Sequence, residues 1–214
     1  METMNEVTGY DQNTANAFGA AASALSGDSK PILKCKKGDW LFGQEDEDVS
    51  LGSRVALNVM EAEWGWLYWY DKRPEERRML KVASGQAISA RSDLGKDDKA
   101  MWPTGDDGKP QDPWQKTIEI PGREIDGERR EFNLSGSSAG FEGAVKKLFK
   151  QFAEESRSNP GKVPIVELGN DKYKHKVYDW VKVPVLSIVE WADQDRLDAG
   201  EVATPAAVTK KTKF

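Results

Sequence analysis

Five aromatic rings fall within seven consecutive residues, Trp64-Gly65-Trp66-Leu67-Tyr68-Trp69-Tyr70. In an extended strand successive side chains project to opposite sides, so Trp64, Trp66, Tyr68 and Tyr70 share one face and Leu67 and Trp69 the other. One face is then a row of rings. Such a row serves as the floor of a core or as a stacking platform for flat ligands such as unpaired bases, at about 1–3 kcal/mol per base. Aromatics in strands are more often core. Both faces of this strand are apolar, however, and a small barrel has difficulty hiding every ring.

The flanking sequence reads mainly as β structure. Ile32, Lys34 and Lys36 alternate with Leu33, Cys35 and Lys37, then Gly38-Asp39 leads to Trp40-Leu41-Phe42-Gly43, a strand interrupted by a turn or bulge. The acidic block Glu45-Asp46-Glu47-Asp48 and Gly52 form a loop before a second strand over residues 54–60. Glu61-Ala62-Glu63 turns the chain into the aromatic strand, which predicts a β-meander of three elements. Residues 71–114, with Pro74, Pro103, Pro110, Pro113 and four glycines, predict a long insert in which Trp102 and Trp114 act as plugs or as contact residues.

Beyond the insert, residues 116–120 and 130–134 alternate around Asp126-Gly127 and predict a hairpin. Phe141, Val145, Leu148, Phe149 and Phe152 then form one stripe of a helix running from Ala139 to about Ser156, with a serine cap and Glu142 in its first turn. Strands over residues 163–168, 172–180 and 181–191 complete the pattern, Pro184 marking an edge or a bulge. Residues 1–29 and 192–214 have too few large apolar groups to offset the entropy lost on ordering, and predict disordered tails around one domain over residues 30–191.

Three strands, an insert with a hairpin, one principal helix and two or three further strands predict an OB-like Greek-key β-barrel. A β-sandwich with one covering helix gives nearly the same pattern. In the barrel, the second and third strands form the nucleic-acid face. That places Trp64, Trp66 and Tyr68 for stacking, with Arg54, Lys72, Arg73, Arg77 and Arg78 for phosphates and Trp102 and Trp114 as contacts from the insert.

Charge decides whether such a partner is plausible for a chain of 214 residues and net charge −5. Residues 30–191 hold 27 Lys and Arg against 28 Asp and Glu, whereas residues 1–29 carry four acids and no bases. The domain is therefore nearly neutral, and its bases are grouped enough to form a basic groove. Cys35 and His175 are single, which excludes an intramolecular disulfide and a Cys/His zinc site of usual composition. Ser135-Gly136-Ser137-Ser138-Ala139-Gly140 lacks the ending of a P-loop and reads as a helix cap. Asp97, Asp98, Asp106, Asp107 and Asp112 would be the ligands of a metal-dependent nuclease, but they have no ordered spacing. No enzyme, cofactor or metal is expected. The absence of a secretory n-region and h-region, and of an apolar run of about 18 residues, predicts a cytoplasmic protein.

Lys37-Gly38-Asp39-Trp40, the Trp-rich strand, Asp112-Pro113-Trp114-Gln115, the helix start Ser138-Ala139-Gly140-Phe141 and Glu190-Trp191 resemble motifs shared by a group of uncharacterised phage and prophage proteins. The resemblance spans about residues 30–191 and implies a viral origin. More loosely, the chain is similar to phage single-stranded-DNA-binding proteins of the OB-fold type. That similarity implies single-stranded DNA and phage replication or recombination proteins as partners. Their tails are acidic with a terminal aromatic, whereas Phe214 here follows Lys210, Lys211 and Lys213. The alternative function is a virion-associated or interaction protein that meets another protein through its Trp-rich surface.

Overall fold

The computed structural model describes residues 30–71, 73–105, 108–175 and 179–200. The tail expected over residues 1–29, the end of the chain from residue 201, and Lys72 lie outside the described residues.

The described chain is mainly β with one principal helix. Its strands are β1 (Ile32–Lys36), β2 (Asp39–Phe42), β3 (Glu47–Val49), β4 (Arg54–Leu57), β5 (Glu63–Tyr70), β6 (Arg73–Lys81), β7 (Trp114–Glu124), β8 (Glu131–Gly136), β9 (Lys162–His175) and β10 (Asp179–Asp193). They form one sheet in the order β10-β9-β4-β7-β8-β1-β2-β3, and β5 and β6 join it through the other half of β7. Only β1 and β8 pair in parallel among the described residues. The sheet does not close on itself.

β7 organises the sheet because one of its edges serves two neighbours. Residues from Trp114 to Glu119 pair with β5, and Gly122 to Glu124 pair with β4. Pro121 stands at the handover, where its missing N–H interrupts neither ladder, and its carbonyl still accepts from Asn58 N at 2.8 Å. Gly122 follows because a Cβ there would lie 2.7 Å from Phe132 and 2.8 Å from Leu57.

The expected meander does not form. β4 lies between β7 and β9, four residues long and buried throughout. The 3-10 turn Val59–Glu61 then carries the chain off the ladder, so β5 joins β7 and β6. Residues 73–81, expected to open the insert, form β6 instead. Pro74 is tolerated there because β6 pairs with β5 alone among the described residues, and its run of charged residues suits an exposed edge.

Helix α1 (Ala139–Glu155) covers the sheet. Ser138 Oγ accepts from Phe141 N, and Phe141, Ala144, Val145 and Leu148 are buried against Leu33, Trp40, Ile120, Phe132 and Leu168. Phe149 and Phe152 pack at the margin of this core. Gln151 bonds both the N–H and the C=O of Ile188 at 3.0 Å beside the β10 bulge, so a side chain substitutes for a neighbouring strand at the sheet edge. Residues 192–200, expected to open the C-terminal tail, are structured instead: β10 runs to Asp193, and a short helix α2 (Gln194–Ala199) follows. Leu197 buries itself with Ala56, Ile125, Ile165 and Ala192 in a second cluster, which supplies the apolar contact that orders this turn.

Candidate nucleic-acid interface

Register sorts the side chains around β5 into two faces. On one, Trp64 stands between Leu80 and Ile118, Trp66 between Arg78 and Lys116, and Tyr68 between Glu76 and Trp114. On the other, Glu63, Gly65 and Leu67 share their side with Arg77 and Thr117. Opposite Tyr68 and Trp69, β6 carries a bulge at Glu75, and Tyr70 at the end of β5 is 57% exposed.

The row runs from core to surface. Trp64, Trp66 and Tyr68 are all half-buried, and Trp64 packs against the main core. The Tyr68 and Trp114 rings meet at 5.3 Å, and Trp114 is 3% exposed. Lys116 pairs with Glu142 of α1 at 2.5 Å, which brings the start of the helix to the edge of this face.

Residues 82–105 and 108–113 fold over the row as a strap with little regular structure. Arg91 is its hub: the guanidinium grips Asp112 through Nε at 2.6 Å and Nη2 at 2.9 Å, and reaches Asp97 at 2.9 Å and the Gly95 carbonyl at 3.1 Å. The Asp112 carboxylate raises the proton affinity of Arg91, with burial opposing it, so the hub stays cationic at any ordinary pH. Trp66 Nε1 donates to Ser89 O at 2.9 Å, Trp102 Nε1 donates to Lys96 O at 2.8 Å, and Leu94 is buried. Cations rest on the rings. Lys96 Nζ lies 4.0 Å from the Tyr68 centroid, Arg78 5.1 Å from Trp114, and Lys99 and Arg91 5.8 and 5.9 Å from Trp102.

Of the residues expected at the interface, Trp66, Tyr68, Arg78, Trp102 and Trp114 come together under or within the strap. Arg73 is exposed at the start of β6. Three others are placed elsewhere. Arg54 is buried and pairs with Glu190 at 3.4 Å, because β4 lies in the middle of the sheet. Arg77 projects to the opposite face, where Glu119 holds it at 2.8 Å and raises its proton affinity. Trp64 serves the core. Lys72 is outside the described residues. Lys96 and Lys99 join the site without any signal in the sequence; their role depends on the strap's path, and no local pattern announces it.

Three indole N–H groups of this region, on Trp64, Trp69 and Trp114, are buried with no acceptor among the described residues. The aspartates considered as nuclease ligands have other work: Asp97 and Asp112 hold Arg91, and Asp98 accepts from Ala100 N at 3.0 Å. Asp106 and Asp107 lie outside the described residues. No group of three or more His, Cys, Asp or Glu among the described residues is placed to hold a metal ion. Burial pushes the Cys35 thiol up, which disfavours its thiolate. No helix among the described residues is long and apolar enough to cross a membrane. No family model, curated protein or solved structure matches this chain.

Proposed function

We propose that this protein binds single-stranded nucleic acid, DNA above all, along the outer half of the β5 row, with the strap that carries Arg91, Lys96 and Trp102 closing over the bound strand. The observation that carries this reading is that Tyr68, Trp102 and Trp114 each have a cation within 6 Å of the ring, all beneath or within one strap. An exposed cation–π contact contributes about 0.5–1 kcal/mol, less than the roughly 1–3 kcal/mol of a stacked base. A base therefore displaces the cation from the half-buried Tyr68 or Trp102 ring, leaving the displaced Lys or Arg beside the phosphate that follows, while Trp114, 3% exposed, backs Tyr68.

On this reading the sheet is an OB-like barrel left unsealed. In support, side chains bridge the β1–β2 turn and β9: Trp40 Nε1 donates to Gly169 O at 2.9 Å, and Asn170 Nδ2 to Gly38 O at 3.0 Å. The protein performs no chemistry. It supports phage DNA replication or recombination in the host cytoplasm, the setting that its resemblance to phage proteins implies. Anisotropy of labelled oligo(dT) tests the site. Tyr68→Ala and Lys96→Gln should each raise Kd, the former by roughly tenfold. An unchanged Kd in both variants would remove the β5 row from the interface.

A further inference from the structure

The distal half of the β9–β10 hairpin departs from the rest of the sheet in shape and in charge. β4 pairs with β9 only from Ile165 to Glu167, and the hairpin meets the β1–β2 turn at Gly169, Asn170 and Lys182. The register sets Lys172 opposite Lys182, whose Nζ pairs with Asp39 at 3.3 Å, and beyond this pair β9 and β10 continue as a two-stranded ribbon with Lys174 opposite Trp180. These four side chains share one face, because residues directly opposite and residues two apart project to the same side. Lys172 Nζ lies 5.2 Å from the Trp180 ring, and Trp180 is 57% exposed. Tyr173, on the other face, is 48% exposed and borders a cleft of about 420 Å³ against α1. Over residues 170–182 the sequence holds four lysines against two aspartates, in a chain of net charge −5.

We infer that the Lys172, Lys174, Trp180 and Lys182 face of this ribbon is a second contact for the same single strand, engaging nucleotides that extend past the β5 row. The inference rests on the function proposed above and adds a longer binding site to it. A polyanion is the partner that local charge of this sign selects, and an exposed indole beside lysines is the combination that stacks a base while neutralising its phosphates. Two-stranded ribbons without a covering layer are marginally stable in water. A tryptophan left uncovered on one therefore contributes little to the fold and is available to a ligand.

The test compares the full chain with Trp180→Ala and Lys172→Gln/Lys174→Gln on labelled oligo(dT) of about 8 and about 30 nucleotides, lengths that bracket one and several contact segments. Thermal melts confirm that the variants fold. For the long oligonucleotide, Trp180→Ala should weaken binding roughly 5- to 100-fold. The double lysine variant should flatten the slope of log K against log salt by about 1.4, the value for two phosphates on a single strand. Binding of the short oligonucleotide should change little in either variant. Equal affinities and slopes for both lengths would overturn the inference and leave the β5 site standing. Absence of oligo(dT) binding by the unaltered protein would remove both. Variants that lose binding to anionic lipid vesicles while keeping it to oligo(dT) would make this face a membrane contact and overturn the assignment.

Discussion

A Cβ placed on Gly65 would lie 2.1 Å from the carbonyl oxygen of Arg78 and 2.9 Å from the Cα of Met79, both backbone atoms of β6. Neither atom yields without moving a strand, so Gly65→Ala should destabilise the protein by about 1–3 kcal/mol. A Cβ on Gly143 of α1 would meet nothing within 4 Å, and Gly143→Ala should be neutral or stabilise by up to about 1 kcal/mol. Denaturant melts of the two variants check the contrast, and equal stabilities would contradict the close approach of β5 and β6. Strand parity was legible at this scale: it placed Trp66 and Tyr68 together, and the same parity puts Arg78 with them and Arg77 away. The pairing of Arg54 with Glu190 was not legible, because it joins residues 136 apart across strands whose order the sequence does not reveal. Lys96 was hidden for a similar reason, since its ring partner is reached only through the fold of an irregular strap.

Elements with a strong period were readable, and elements held by a single contact were not. The stripe of α1 and its serine cap stand where the 3.6-residue pattern put them, and Pro184 lies in an edge strand. The hairpin around Asp126-Gly127 also forms, as β7 and β8. By contrast α2 has one large apolar residue in six positions, too little for any periodicity to register. Leu197 is 4% exposed, and Leu197→Ala should cost about 2–4 kcal/mol and free the C-terminal turn. Urea midpoints measure the loss, and limited proteolysis reads the release. A change below about 0.5 kcal/mol, the range of an ordinary surface substitution, would show that α2 is not docked through this side chain. β6 was missed because its charges and Pro74 resemble a loop, although they equally suit an edge strand.

At the scale of the whole molecule, strand count and class could be inferred from the sequence, but strand order could not. β4 and β5 are neighbours in the chain, yet they do not pair with each other and instead share one edge of β7, which begins more than 40 residues downstream, a choice set by the 3-10 turn at Val59–Glu61 and by the length of β7. Charge behaves in the same way. The chain is acidic overall, yet its lysines and arginines gather over the β5 rings and along the distal β9–β10 ribbon. Binding through such local groups is sensitive to salt, because each phosphate neutralised releases counterions. The direct measurement is a titration of the full chain with oligo(dT), following tryptophan emission at low and then at high salt. The account predicts quenching at low salt and an affinity that falls linearly with salt on logarithmic axes. Tryptophan emission unmoved by micromolar oligo(dT) at low salt would contradict it.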